Sequence, residues 1–545
     1  MANIASFAHE TDEWNATLDG DYLWSNVNFG EAVTEAMTPL AWSIIRFTLG
    51  DWVFVPGVAT VGNIAGRPYL NISAFATVLS ALGRGRDDLL RTMEATLYVK
   101  LPEEMEIPLI PLSGGARLAS LANGLRVQAK RSAGVRRVGA YLATGPAWFE
   151  RNRAQVRACD RAGLSALWRD EISPHVKQGV WSVLGIAMHS ANYTMQLRRE
   201  LTDLVGADDA SSLIANVGAG AGLASLGPMI GLAKVAAGEM TRDAYLQAYG
   251  HRGPHEFELS VPRPAEDPSW LDRELAGLRA APVTVYALLA KQRDAFDAAW
   301  TRFRSRYPQK ADATARRIAE SAQRARLREL ARSQYVRDRW MIRLFALRTG
   351  ELTGLGDDVF FLTLDEMLGL LIADETPIAA ISARKAAYLR HKMLPSCPSV
   401  IRGPFDPFQW AADENRRSDI FDGRATSGSG VSGHSRAGVI TGSPGSAGRV
   451  QGTVRCLASP DEMHQLRQGE VLVAVQTDIA WTVVFPRAAA VVTDVGAPLS
   501  HAAIVARELG IPAVVGCGDA TARLKTGDRV QVDGGAGTVT LIHHT

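Results

Sequence analysis

TDVGAPLSHAAIVARELGIPAVVGCGDAT, residues 493–521, decides how the rest of the chain is read. The run AAAVVTD (488–494) has the continuous apolar character of a buried strand and passes into a Gly/Pro turn. Ser500 and His501 then open an apolar helix, HAAIVAREL (501–509), which stops at Gly510 before Ile511-Pro512 and a second strand. Ser500 is the predicted N-cap, so His501 falls in the first turn, where unpaired N–H groups and the helix dipole favour an anion. A neutral imidazole placed there can accept a phosphoryl group and release it again. Without its surroundings, the same histidine would read as a capping or packing residue.

Short β-like runs flank this helix: GRVQGTVRCLA (448–458), EVLVAVQT (470–477), IPAVVGCG (511–518) and DRVQVDGGAGTVTLI (528–542). Together they predict a small α/β domain over residues 441–545. Just before it, FDGRATSGSGVSGHSRAG (421–438) is poor in apolar residues and rich in Ser and Gly, so residues 418–440 read as a flexible linker. Residues 1–417 form the remaining domain. Its first hundred residues mix loops and a few strands with helices, and from about Gly115 to Ser396 long Ala/Leu/Arg segments separated by Pro and Gly make it mainly helical. The Arg-rich stretch from Ala299 to Arg348 carries charges at helical spacing and reads as solvated helix faces.

Composition narrows the function classes. The chain has 545 residues, 47% hydrophobic and 21% charged, with a net charge of +2, which suits a globular protein and argues against a dedicated nucleic-acid binder. Nine lysines, at 100, 130, 177, 234, 291, 310, 385, 392 and 525, leave the other basic residues as arginine, which suits phosphate recognition but equally reflects base composition. Four cysteines, at 159, 397, 456 and 517, give no disulfide framework and no CxxC spacing, consistent with a reducing, cytoplasmic setting. The acidic N-terminus lacks a signal-peptide pattern, and the uncharged stretch from Ala210 to Ala233 contains Asn216, Pro228 and many glycines, so it reads as buried helix and loop rather than a membrane span. No GxxxxGK[ST] occurs, and the GxGxxG at Gly428, Gly430 and Gly433 lies inside the linker with no strand before it. Gly253 and Pro254 break the helical spacing of His251 and His255, so no metal site is expected. Cys517 reads as packing.

The 493–521 stretch resembles the phosphohistidine segment of the phosphoenolpyruvate-utilising enzymes, the family of phosphoenolpyruvate synthase, pyruvate phosphate dikinase and rifampicin phosphotransferase. The resemblance extends through VLVAVQTDIAWTVVFPRAAAVVTD (471–494) and GSPGSAGRVQGTV (442–454). It implies a swivelling β/β/α domain with His501 as the phosphorylated residue, and Ser500, Ala502, Thr493 and Arg507 supporting the phosphoryl site. Ala497, where the family usually has a glycine, and Val475-Gln476 are departures that bear on loop geometry.

A looser resemblance to the family's acceptor-binding domain runs through LWSNVNFGEAVTEAMTPLAWS (23–43), GRPYLNIS (66–73), YGHRGPHEFELSVPRPAEDP (249–268), LRTGELTGLGDDVFFLTLDE (347–366) and IRGPFDPF (401–408). It makes His251, Arg252, Glu256 and Arg263 candidates for the acceptor pocket: the arginines as phosphoryl clamps, His251 or Glu256 as the group taking the acceptor's proton. His189 is a further candidate, beside its plainer reading as a core histidine.

Acceptor-like motifs begin near Leu23 and the chain stops at Thr545. The expectation is therefore a split system similar in domain content to phenylphosphate synthase. A separate ATP-grasp subunit would hold ATP and Mg2+ and phosphorylate His501 in a dikinase-like reaction releasing AMP and phosphate. The acceptor would be a small, apolar or phenolic hydroxyl compound. Alternatives are a phosphohistidine carrier serving another protein and a non-catalytic binding scaffold.

Overall fold

The computed structural model describes residues 13–27, 29, 33, 35–97, 105–215, 224–279, 285–413, 416–424, 438–498 and 500–543. The helices used below are α1 (Gly114–Ala158), α2 (Arg161–Leu167), a π-helical turn (Trp168–Ile172), α3 (Ser173–Leu213, broken at Gly206), α4 (Gly227–Ala236), α5 (Val285–Arg306), α6 (Ala311–Thr353) and α7 (His501–Leu509). No described helix is long and apolar enough to cross a membrane. Residues 216–223 of the uncharged stretch and the glycines at 428, 430 and 433 lie outside the described residues.

Chain contacts divide the protein into two compact units, both discontinuous in sequence. Unit 1 comprises 1–185, 255–262 and 333–431; unit 2 comprises 186–254, 263–332 and 432–545. The helices α3 and α6 each contribute to both.

Unit 1 is mainly helical and contains a five-stranded sheet in the order β2-β3-β1-β4-β5, formed by β1 (Leu23–Ser25), β2 (Val61–Ile64), β3 (Arg67–Asn71), β4 (Val400–Arg402) and β5 (Ile420–Asp422). The pairing of Trp24 with Ile401 ties the two ends of the unit together. Its core includes Trp148, Phe149, Trp168, Ile172, Val176, Trp340 and Phe345, from α1, the π turn, α3 and α6. Full burial of such side chains contributes about 1.5–3 kcal/mol each.

Unit 2 combines helices with an eight-stranded sheet in the order β6-β13-β12-β8-β9-β10-β11-β7. Its strands are β6 (Val439–Thr441), β7 (Ser443–Ser446), β8 (Arg449–Cys456), β9 (Val471–Ala474), β10 (Ala490–Thr493), β11 (Ala513–Val515), β12 (Arg529–Asp533) and β13 (Thr538–His543). β8, β9, β10 and β11 run parallel, and β9, β10 and β11 are continuous buried runs, as parallel strands covered on both faces require, whereas β8 buries Val454 and leaves most of its other residues partly exposed. The stretch read as a linker, 418–440, carries strand at both ends: β5 pairs with β4 in the first sheet, and Val439 begins β6 in the second. Residues 425–437 lie outside the described residues.

Candidate functional site

The chain turns out of β10 and enters α7 at His501. Ser500 is extended (φ −64, ψ 160), and its hydroxyl accepts from the Ala503 N–H at 3.2 Å, the predicted N-cap. Gly510 closes the helix in the left-handed conformation (φ 66, ψ 31), which a glycine adopts without a steric penalty. Ala502, Val505, Ala506 and Leu509 of α7 pack with Leu226, Met229 and Val285 from the helical part of unit 2. The Gln292 side chain of α5 donates to the Arg507 carbonyl at 2.7 Å, and Ser225 donates to Glu508. The face of α7 is thus seated on helices of its own unit.

His501 is buried, with the Thr482 hydroxyl 3.1 Å from Nε2 and the Phe485 ring edge-on at 6.2 Å between centroids. Burial, and then the positive charges of Arg332 and Arg252, push its pKa down to about 3 against the opposing pull of Glu329. The imidazole is therefore neutral at physiological pH. Burial would raise the Glu329 carboxyl, but Arg328, Arg332 and Arg252 outweigh it and hold that group below its usual range. Glu329 pairs with Arg328 at 3.0 Å. A neutral nucleophile with two guanidinium groups in its field and a helix N-terminus beneath it suits a group that acquires negative charge when phosphorylated.

Other predicted support residues divide by what they touch. Thr493, at the end of β10, is buried, and its hydroxyl has no hydrogen-bond partner among the described residues. Ala502 is buried in the first turn of α7. Arg507 was expected to assist the phosphoryl group, yet its guanidinium donates to the carbonyls of Gly445 at 2.6 Å and Pro498 at 2.8 Å. It therefore fixes the loop that leads into His501. Burial depresses its pKa to about 9, followed by Arg198.

Among the acceptor-pocket candidates, Arg252 is buried and acts electrostatically on His501, and His251 beside it is buried as well. Arg263 is buried at the entrance to a 3-10 turn, where its own N–H donates to Glu266 at 2.6 Å. Glu256 is buried in unit 1. His189 is exposed on α3, near the Glu320 carboxylate, so the core placement does not hold. Cys517 is buried in the sheet core as packing predicts.

Arg332 and Glu329 were missed. Both lie on α6, in the segment whose charges read as solvated helix faces, yet Arg328 and Glu329 expose only 15% and 14% of their side chains. The available signal was Arg324, Arg328 and Arg332 recurring every four residues with Glu329 among them, which marks one charged face without saying what covers it. Thr482 was also missed, since nothing local to its sequence connects it with His501.

Residues 466–537 match the mobile domain of PEP-utilising enzymes. An uncharacterised protein of Mycobacterium tuberculosis is 35% identical over 311 residues, 55% of this chain and 31% of that protein. The uncharacterised phosphotransferase YvkC of Bacillus subtilis is 34% identical over 206 residues, 37% of this chain and 24% of its own length. A rifampicin phosphotransferase of a Streptomyces species is 27% identical over 577 residues, 95% of this chain and 62% of that protein. The chain spans less than two thirds of the length of each of these relatives. A capped helix presenting His501 thus lies inside the segment that matches the mobile domain of PEP-utilising enzymes, and the chain is similar to phosphotransferases that carry such a domain.

Proposed function

We propose that the protein is a phosphotransferase that carries a phosphoryl group on His501 and passes it to a hydroxyl of a small organic acceptor of apolar or phenolic character. The observation that carries this reading is a buried, neutral imidazole at a helix N-terminus, in the field of Arg252 and Arg332. The donor in this reading is ATP, held with Mg2+ by an ATP-grasp partner that releases AMP and phosphate. Relatives named phosphotransferases support the reaction class.

Phosphoryl transfer asks little covalent chemistry of a protein and much positioning and charge stabilisation. Neutral His501 offers a lone pair to phosphorus. Thr482 fixes the ring orientation through Nε2, and Ser500 fixes the start of the helix. Arg252 and Arg332 stabilise the charge on the transferred oxygens, and Glu329, paired with Arg328, limits the local positive charge. Docking of α7 on its helical neighbours shields the phosphoramidate from water, so turnover requires α7 to leave that seat.

Incubation with the ATP-grasp partner and ATP labelled in both its β- and γ-phosphoryl groups tests the proposal. The expected product is acid-labile, base-stable label on the wild-type chain and none on His501→Ala. Label that survives this substitution would overturn the reading. Passage of the label to a second protein instead of a hydroxyl compound would establish a carrier.

A further inference from the structure

The turn between β10 and α7, which delivers His501, is held at its start by a buried carboxylate. Asp494 follows Thr493 at the end of β10 and is 2% exposed. Its N–H donates to the Ala474 carbonyl at 3.2 Å, and its carbonyl accepts from the Gly518 N–H at 2.9 Å, so its backbone is fixed between β9 and the chain beyond β11. The carboxylate accepts from the Thr521 N–H at 3.0 Å, from the Thr521 hydroxyl and from the Ala520 N–H. Ala520 and Thr521 open the short helix Ala520–Arg523, whose own flanking residue, Asp519, makes no side-chain capping bond and lies 3.6 Å from Arg523 instead. The cap of that helix is therefore Asp494, 27 residues before Thr521.

This long-range cap bears on His501 because the two segments rest directly on one another. A Cβ on Gly516 would lie 2.6 Å from the Gly496 carbonyl, and one on Gly496 would lie 3.1 Å from Val515 and 3.4 Å from the Ser500 hydroxyl. By gripping the helix that follows 515–518, Asp494 fixes the surface on which the turn sits. The Ser500 N–H donates to the Ala497 carbonyl at 2.8 Å, and Ser500 caps α7, so a shift of this base moves the imidazole next to it. Burial, the largest influence on the Asp494 carboxyl, raises its pKa to about 6 against the bonds from Thr521 and Ala520, and Asp519 adds to the rise. The Cys456 and Cys517 thiols also face Asp494; burial keeps both protonated, and Arg523 acts on Cys517. His501 stays neutral across this range. An exposed aspartate titrates at about 3.9, so a proton binds the seated Asp494 more tightly than an Asp494 freed by opening of the turn. Opening is thus opposed more strongly at pH 5 than at pH 7.5.

We propose that Asp494 is a positioning residue for phosphoryl transfer: by capping the helix Ala520–Arg523 it fixes the turn that sets Ser500 and His501. This rests on His501 as the phosphoryl carrier.

The test compares charging of His501 by the ATP-grasp partner in wild type, Asp494→Ala, Asp494→Asn, Thr521→Val and the double variant Asp494→Ala/Thr521→Val. Asp494→Ala should charge roughly 10-fold or more slowly. Asp494→Asn keeps an oxygen for the Thr521 N–H and should recover most of the rate, and the double variant should be no slower than Asp494→Ala, since both act through one contact. An unchanged rate in Asp494→Ala, or losses that simply multiply in the double variant, would overturn the proposal. Where Asp494→Ala does not fold, Thr521→Val alone must slow charging. Failure to charge wild type would overturn the carrier reading instead, and the position of the ring then decides. The 15N signal of His501 Nε2 should shift in Asp494→Ala and return in Asp494→Asn. Exchange of the Val495, Gly496 and Ala497 amides, corrected for its intrinsic pH dependence, should be slower at pH 5 than at pH 7.5 in wild type and lose that difference in Asp494→Asn. A ring signal and an exchange pattern indifferent to Asp494 would overturn the positioning role, even if Asp494→Ala lowers the urea midpoint.

Discussion

The burial of His501 lowers stability at low pH. Its pKa falls from 6.5 to about 3 on folding, mainly through burial, so the unfolded chain binds the proton more readily between those values. The resulting penalty is absent above about pH 6.5 and grows as the pH falls towards about 3. Asp494 works in the opposite sense, because burial raises its pKa to about 6 and the folded state gains a proton first. Comparing wild type with His501→Gln isolates the histidine. Denaturation midpoints of the variant are expected to fall less steeply than those of wild type between pH 6.5 and 4; parallel curves would contradict the burial assigned to His501. Arg332 is the residue-scale test of the field. Arg332→Gln removes a positive charge that acts on His501, and on the proposed function the charging rate of His501 should drop by roughly 100-fold in a rapid-quench measurement, with Arg332→Lys restoring part of it. An unchanged rate in Arg332→Gln would remove that residue from the phosphoryl site.

At the scale of elements, α7 depends on its caps and its seat. Ser500→Ala removes the acceptor for the Ala503 N–H and should lower the stability of unit 2 by about 1 kcal/mol, read as a shift in the urea midpoint. Gln292→Ala leaves the Arg507 carbonyl without its side-chain donor, so hydrogen exchange across 501–510 should quicken without a change in the β8 to β11 core; no change in exchange would mean the bond does not hold the seat. These elements also show what the sequence made legible. The bounds of α7, from Ser500 to Gly510, follow from capping chemistry that acts within a few residues, and the buried strands follow from uninterrupted runs of valine. Arg332 and Glu329 were hidden for the opposite reason. A charged helix face looks the same whether water or a histidine from far along the chain lies over it. The pairing of Trp24 with Ile401 and the meeting of His175 with Asp338 are likewise fixed by packing between distant segments, which no local periodicity encodes.

At the scale of the whole molecule, sequence order and structural unit part company. The segment 441–545 reads in sequence as a separate domain, but unit 2 also takes in 186–254 and 263–332. The reason lies in the apolar face of α7: Ala502, Ala506 and Leu509 are almost fully buried, and Leu226, Met229 and Val285 complete their cluster. The eight-stranded sheet has its own core of Val454, Val473, Val492, Val530 and Val532, drawn only from the C-terminal strands. A fragment covering residues 438–545 is therefore expected to fold around the sheet while leaving the α7 face uncovered. It should bind a hydrophobic dye more strongly than the full chain and self-associate in sedimentation. Leu509→Ser in the fragment should reduce both effects, because it makes the uncovered face more polar. In the full chain the same substitution should destabilise unit 2, since there Leu509 is sealed against helices. A monodisperse fragment that binds no dye would show that α7 does not need the helical seat.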